Sequence, residues 1–222
     1  MPERHIFACG GGGFLSNARL RSAMLDIVGK ENPTCLLIPT ASGDPAQRLE
    51  EFRAGCNFLG VKPDVLALFD SQSWWATPGE MIASANMIWV GGGSTRNMLV
   101  LWEAWGLVPH LRAAYEKGTV IGGVSAGAIC WFEQGNTDSL GPGLNVLDCL
   151  GWLSGSCTPH YDEEPLRKPA LAAQLAKGEI KPGIAIDGGC AVHFVNEQFH
   201  QVISERDEVG AYRASKEEVI RL

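Results

Sequence analysis

Short apolar runs alternate with longer segments of helical spacing along the first 131 residues of the chain. Each run is almost continuously apolar, and it is followed by glycines or by a segment in which apolar residues recur every three or four positions. Strands that are apolar on both faces are typical of a parallel sheet covered by helices. The pattern therefore predicts an α/β fold with a mostly parallel sheet.

The individual elements follow from the same pattern. Strands are predicted at 5–10, 34–40, 62–69, 87–90 and 119–124, and helices at 17–30, 45–59, 97–105 and 109–117. The alternation then loosens, with a short strand at 156–160, a helix at 169–177 and closing strands at 183–187, 190–195 and 200–204. No repeat, low-complexity tract or linker interrupts the chain, so we expect one domain over residues 1–222.

The most informative segment is Gly122-Gly-Val-Ser-Ala-Gly-Ala128, which follows the strand predicted at 119–124. A serine at a sharp turn between a strand and a helix is the arrangement of a nucleophile elbow. The flanking glycines suit a turn that leaves no room for Cβ atoms. Ser125 is therefore the candidate nucleophile, and the alternative is a glycine-rich turn that only lets a helix pack on the sheet.

Two glycine runs also follow predicted strands. Gly91-Gly92-Gly93 comes after the strand at 87–90, where the N–H groups of Gly92 or Gly93 could form an oxyanion hole with that of Ala126. The alternative is a plain tight turn. The run at 10–13 lacks the full Gly-x-Gly-x-x-Gly pattern, and no phosphate-binding loop motif occurs, so the sequence disfavours nucleotide binding.

A nucleophilic serine needs a general base, and the chain has five histidines. His160 opens a polar loop after an apolar segment, which lets its ring face a substrate. His193 and His200 lie in predicted strands, His110 lies in a predicted helix, and His5 opens the first strand. Histidines in such positions are usually packed, so His160 is the candidate base.

The third group required is a carboxylate that orients the imidazole. Asp187 ends the strand predicted at 183–187, and we prefer it because a strand end is rigidly placed at the ligand edge of an α/β sheet. Asp138 is the alternative, in the loop after the elbow helix. Glu163 and Glu164 come third, as solvated residues of a polar loop.

Composition and charge narrow the classes of partner. The chain of 222 residues has a formal net charge of −7 and no basic run, which argues against nucleic-acid binding. No apolar stretch approaches the roughly 20 residues that span a bilayer, and the opening segment Met1-Pro-Glu-Arg-His5 does not resemble a signal peptide. The seven cysteines include no Cys-x-x-Cys pair, so we expect neither a disulfide framework nor a zinc site, and a cytoplasmic location.

Five segments together resemble one known group of enzymes. They are Ile38-Pro-Thr-Ala41, Val90-Gly-Gly-Gly-Ser-Thr95, Gly122-Gly-Val-Ser-Ala-Gly-Ala128, Pro159-His160-Tyr161 and Ala185-Ile-Asp-Gly188. In these segments, which extend over nearly the whole chain, the sequence is similar to the serine peptidase family of dipeptidase E (α-aspartyl dipeptidase) and cyanophycinase. The resemblance implies a three-layer αβα sandwich related to class I glutamine amidotransferases.

The resemblance also implies roles for individual residues. Ser125 would be the nucleophile, His160 the general base and Asp187 the orienting acid, in a Ser–His–acid chain order. The substrate would be a small peptide with an N-terminal aspartate, and no metal or organic cofactor is implied. From the residues, Arg167, or less favourably Lys168, could pair with the aspartate side chain, because Arg suits bidentate contact; the alternative is a solvated loop charge.

The substrate α-amino group would be received by Glu163 or Asp162. The chain departs from the family pattern in having Asp187 where the family often has Glu and Ser94-Thr95 where it commonly has Asn-Thr, and in its short segment after His160. These departures bear more on specificity than on the chemistry.

Several alternatives stay open. The same triad would serve another amide or ester hydrolase, including a cyanophycinase-like β-aspartyl peptidase. A non-catalytic small-molecule binding protein on this fold is the alternative of a different class. A glutamine amidotransferase is disfavoured because its elbow nucleophile is Cys, and Cys130 lies five positions after Ser125. The oligomeric state is not determined by the sequence, and a homodimer is one option.

Overall fold

The computed structural model describes residues 2–222 and shows an α/β fold with two sheets. Met1, the first residue of the opening segment, lies outside the described residues. The strands are β1 (His5–Cys9), β2 (Thr34–Ile38), β3 (Lys62–Val65), β4 (Met87–Val90), β5 (Val120–Val124), β6 (Phe132–Thr137), β7 (Asn145–Asp148), β8 (Leu153–Thr158), β9 (Gly183–Ile186), β10 (Cys190–Val195), β11 (Gln198–Ser204), β12 (Ala211–Ala214) and β13 (Val219–Arg221).

Seven helices connect these strands. They are α1 (Ala18–Val28), α2 (Ala46–Phe58), α3 (Pro78–Ser84), α4 (Thr95–Ala104), α5 (Leu107–Glu116), α6 (Ala126–Ile129) and α7 (Arg167–Lys177). Short 3₁₀ turns occupy Thr40–Ser42 and Ser71–Ser73. Within the described part of the chain, no helix combines the length and apolar character needed to cross a membrane.

The larger sheet has the order β11-β10-β1-β5-β4-β2-β3. Its first five strands in the chain, β1 to β5, are parallel, and β10 and β11 extend it as an antiparallel edge next to β1. Because the parallel strands run in one direction, the ends of β1, β4 and β5 that carry glycines and Ser125 lie along the same edge. This edge holds the candidate site.

Helices cover both faces of this sheet. Alternate residues of β1 point to opposite sides: Phe7 and Cys9 pack with α1 and α2, whereas Ile6 and Ala8 pack with α3, α4 and α5. All four side chains are at most 1% exposed. The predicted mostly parallel sheet and the three-layer αβα sandwich are therefore confirmed.

A second, six-stranded sheet follows the elbow, with the order β13-β12-β9-β8-β6-β7. The sequence pattern predicted β8 and β9 but not β6, β7, β12 or β13, because their residues are mixed in polarity and only partly buried. The elbow helix α6 has only four residues. The expectation that Asp138 follows that helix is wrong, since β6 lies between them.

Helix α3 was also missed, although its sequence carries a signal. Thr77 caps its first turn, Pro78 is its first residue, and the Glu80 carboxylate accepts from the Thr77 N–H at 2.9 Å. Thr-Pro-x-Glu is a helix-start pattern in which two free backbone donors are satisfied reciprocally. The apolar pattern does not predict this helix because α3 has only seven residues and follows a polar loop.

His193 is packed inside the sheet edge, as its place in a strand indicated. It is 3% exposed, its Nε2 lies 3.1 Å from His5 Nδ1, and its ring stacks on Phe7 with the centroids 4.1 Å apart. Burial, with repulsion from His5 and His200, lowers the pKa of His193 to about 3. Glu3 is the acidic group near this cluster, 3.9 Å from His5 Nε2.

This burial predicts a loss of stability in acid. In the unfolded chain His193 takes up a proton near pH 6.5, whereas in the folded protein it stays neutral to about pH 3, so stability falls as the pH falls through that window. Urea unfolding at pH 7 and 4.5 should show a loss for the native sequence about 2 kcal/mol larger than for His193→Phe.

The exposed His110→Gln variant serves as the control, and it should lose as much stability as the native protein. Equal losses in the native protein and His193→Phe would show that this histidine does not titrate as the burial requires.

Candidate active site

Ser125 lies at the turn between β5 and α6 with a strained backbone. Its φ and ψ angles are 56° and −112°, outside the regions that a residue with a Cβ prefers. Three backbone hydrogen bonds keep it there: its N–H donates to Cys9 O at 3.1 Å, and its carbonyl accepts from Ala128 N and from Ile129 N, both at 2.9 Å. The predicted elbow is therefore present in the structure.

The glycines of the elbow are required by close backbone approach. A Cβ on Gly123 would overlap the carbonyl oxygen of Gly127, and a Cβ on Gly127 would overlap that of Val90. The first contact closes the turn between β5 and α6, and the second packs the turn against β4. The Gly-x-Ser-x-Gly pattern is thus a steric consequence of the turn that presents Ser125.

His160 reaches the same strand end from the second sheet. It follows β8, has a φ of 52°, and donates its backbone N–H to Gly10 O at 3.1 Å. The next residue, Tyr161, donates to Ile186 O at 3.1 Å. Since Ser125 bonds to Cys9 and His160 to Gly10, successive carbonyls at the end of β1 anchor the backbones of the two candidate residues. Within residues 2–222, no hydrogen bond joins their side chains.

The imidazole of His160 contacts Glu163. The distance from His160 Nδ1 to Glu163 Oε2 is 2.6 Å, and the two side chains are 22% and 49% exposed. Gly11 and Gly188 form a β-bridge, and a Cβ on Gly188 would overlap the Glu163 carboxyl group. The glycine run after β1 thus makes room for this carboxylate.

Asp187 makes different contacts from those we expected. It is 3% exposed, and its Oδ2 accepts from Gly210 N at 3.0 Å and from the Tyr212 hydroxyl at 3.1 Å. Burial raises the pKa of its carboxyl group. These bonds join the end of β9 to β12, and the hydrogen bond to His160 that we expected of Asp187 is made by Glu163.

A cavity of about 300 Å³ opens beside Ser125. It is lined by Gly93, Ser94, Ser125, Asp138, Ser139, Glu164 and Arg167. The site thus combines the end of β4, the elbow, the loop after β6 and the start of α7. Asp138, the alternative triad acid predicted from the sequence, lies in the cavity wall.

Arg167 is the buried cation of this cavity. It is 3% exposed, its Nε donates to Glu164 Oε2 at 2.8 Å, and its Nη1 donates to Asn136 O at 2.6 Å. Within residues 2–222, its Nη2 donates no hydrogen bond. A guanidinium with free donors at a cavity wall is suited to a carboxylate.

The other proposed substrate contacts lie elsewhere. Glu163 is engaged by His160, and Asp162 Oδ1 accepts from Gly188 N at 2.6 Å. Lys168 lies over the ring of Tyr161, 5.1 Å from its centroid. The structure therefore brings Arg167 to Ser125 but not Glu163, Asp162 or Lys168 to the cavity lining.

Backbone donors surround the serine. Within residues 2–222, the N–H groups of Gly92, Gly93 and Ala126 have no backbone acceptor. A Cβ built on Gly92 would lie 3.8 Å from Ser125 Oγ, so this glycine lies next to the nucleophile candidate. Unpaired N–H donors of this kind can form an oxyanion hole.

Cys130 is not placed as a nucleophile. It is fully buried behind α6, its thiol lies 3.6 Å from Gly127 O, and burial raises the pKa of that thiol well above its ordinary value. A buried thiol of high pKa is chemically inert.

Comparisons with known proteins identify the family of the chain. The model of peptidase family S51 matches residues 6–202. The chain is 43% identical over 213 residues to an uncharacterized peptidase of Bacillus subtilis (strain 168), YgaJ, covering 95% of this chain and 91% of that protein.

Two solved structures share the fold at low identity. A peptidase from an acI-B1 Actinobacterium superposes with a TM-score of 0.72 at 17% identity, over 99% of this chain and 93% of that one. A putative peptidase E protein from Listeria monocytogenes EGD-e gives 0.65 at 18% identity, over 96% and 100%. With the family match spanning most of its length, the chain belongs to peptidase family S51 and is a serine-type peptidase.

Proposed function

We propose that the protein hydrolyses small peptides, chiefly dipeptides with an N-terminal aspartate, through an acyl-enzyme on Ser125. The observation that carries this proposal is the cavity shared by Ser125 and the buried Arg167. A serine poised at an elbow supplies the nucleophile, and a buried guanidinium next to it selects an acidic group on the acyl side of the scissile bond.

The reaction follows from the groups around the serine. His160 takes the Ser125 hydroxyl proton as Oγ attacks the peptide carbonyl, and the resulting oxyanion is held by the N–H groups of Gly92 or Gly93 and Ala126. The imidazolium then protonates the leaving amine as the C–N bond breaks. Water, deprotonated by His160, hydrolyses the ester and regenerates the serine.

Glu163 is the acid that we assign to His160. The Nδ1–Oε2 distance of 2.6 Å is that of a charge-assisted hydrogen bond, and such a bond sets the tautomer in which Nε2 accepts the serine proton. Asp187, the acid expected from the sequence, has its Oδ2 occupied by Gly210 and Tyr212. We therefore assign Asp187 a structural role, because its hydrogen bonds hold the end of β9. The loop of His160 is attached at that end through the bond from Tyr161 N to Ile186 O.

Substrate selection rests on charge at the cavity wall. The Arg167 guanidinium would bind the aspartate side chain, since its Nη2 has no partner in the described chain. Asp138 is exposed, lines the same cavity and makes no ion pair within residues 2–222, so it would bind the substrate α-ammonium group. In this role it takes the place of Glu163 and Asp162.

A β-aspartyl peptidase of the cyanophycinase kind is the second candidate. It would use the same Ser125 chemistry and the same cation, with the isopeptide carbonyl of the aspartate as the scissile group. The substrate panel below separates the two.

The first prediction concerns the nucleophile. A panel of Asp-Leu, Glu-Leu, Asn-Leu, Ala-Leu and β-Asp-Leu should give turnover of Asp-Leu. Ser125→Ala should abolish it, because the other two serines of the cavity lining, Ser94 and Ser139, hydrogen-bond to Asn97 N and Thr137 Oγ1. Fluorophosphonate labelling, read by intact mass, should occur in the native protein and in Cys130→Ala but not in Ser125→Ala. Labelling at another residue would contradict the assignment.

The second prediction separates the two acids. Glu163→Gln should lower kcat by about 100-fold or more with little change in KM, because His160 loses the partner that stabilises its imidazolium. Asp187→Asn should keep kcat within a few-fold and instead lower the melting temperature, since it alters a buried bond between β9 and β12. The opposite pattern would return the triad role to Asp187.

The third prediction tests the cation. Native protein should prefer Asp-Leu to the isosteric Asn-Leu by about 30-fold or more in kcat/KM, and Arg167→Gln should remove that preference while Asn-Leu turnover changes little. A melting curve of the variant controls for folding, because Arg167 also bonds Asn136. A preference that survives in a folded Arg167→Gln protein would exclude this residue as the selector.

A further inference from the structure

A groove of about 240 Å³ lies on the other side of Gly92 from the Arg167 cavity. Its apolar wall is built by Phe14, Leu37, Phe52 and Trp89, each at most 6% exposed. These side chains come from the loop after β1, the strands β2 and β4, and the helix α2. The groove is therefore apolar and lies on the opposite face of the sheet from α4.

The groove and the cavity meet at the elbow. Gly91, Gly92 and Val124 line the groove, whereas Gly93, Ser94 and Ser125 line the cavity. Gly92 lies next to Ser125, because a Cβ added to this glycine would lie 3.2 Å from the serine Cβ. A peptide with its carbonyl on Ser125 and its acyl side chain at Arg167 must direct its leaving residue away from the cavity, toward this groove.

Arg48 lies at the mouth of the groove. It is exposed on α2 and lines the groove, and within residues 2–222 it makes neither an ion pair nor a side-chain hydrogen bond. Its neighbour Glu51 accepts from Gln47 Nε2 at 2.8 Å. An unpaired guanidinium at the end of an apolar groove fits a molecule with an apolar body and a terminal carboxylate.

We propose that this groove binds the leaving residue of the substrate, an apolar or aromatic amino acid, and that Arg48 binds its free C-terminal carboxylate. This inference rests on the proposed dipeptidase function and extends it to the other side of the scissile bond. Cleavage is then limited to peptides that end one residue after the cut. The apolar wall selects Leu or Phe over Gly or Asp in that position.

Binding without turnover tests the groove by itself. Calorimetry with the Ser125→Ala protein should show phenylalanine binding about tenfold more tightly than phenylalaninamide, because only the acid offers a carboxylate to Arg48. Adding Arg48→Gln should remove the difference. Arg53→Gln, an exposed arginine on the same helix outside the groove lining, is the matched control and should retain it.

Kinetics with the native enzyme, which keeps Ser125, give the second readout. Asp-Phe should exceed Asp-Phe-amide by about tenfold in kcat/KM, and Arg48→Gln should lower the value for the acid alone. Equal binding of phenylalanine and its amide, or discrimination that survives in Arg48→Gln, would overturn the inference. If phenylalanine binds more tightly than its amide in an Arg48-dependent way, but no aspartyl peptide is hydrolysed, the result would contradict the proposed function and support the groove assignment.

Discussion

The end of β1 is the point on which the site depends. Two successive carbonyls there, Cys9 O and Gly10 O, accept the backbone N–H groups of Ser125 and His160. The serine belongs to a turn of the parallel sheet and the histidine to a loop that leaves the second sheet. Without this shared strand end, nothing would fix Ser125 and His160 relative to each other, because 34 residues and several strands of mixed direction separate them in the chain.

Glycines act at this site by yielding space to other groups. At the elbow they let the turn pack against β4, and at Gly11 and Gly188 they leave room for the Glu163 carboxylate. The bridge between Gly11 and Gly188 also brings the end of β1 to the end of β9. One backbone arrangement thus places the acid, and a side chain at either glycine would displace it.

Charge is distributed asymmetrically around the serine. On one side, the buried Arg167 is compensated by Glu164, so a substrate carboxylate meets a guanidinium whose burial is already balanced. On the other side, the apolar groove ends at Arg48, which is solvated and unpaired within residues 2–222. A dipeptide with an aspartate side chain on one side of the scissile bond and an apolar residue with a free carboxylate on the other matches this distribution. The distribution is therefore consistent with the proposed substrate class.

The sequence by itself indicated the parallel sheet, the turn at Ser125 and the position of His160 in a loop, because apolar period, glycine spacing and turn chemistry are local properties. It did not determine the second sheet, whose strands are too polar to be recognised, or the acid partner. From the sequence alone Glu163 is a weaker candidate for the acid than Asp187. A polar loop normally indicates a solvated side chain, whereas a strand end indicates a rigidly held one. Only the tertiary structure shows that Glu163 and not Asp187 contacts His160, because the Gly11–Gly188 bridge and the Tyr212 contact join residues far apart in the chain.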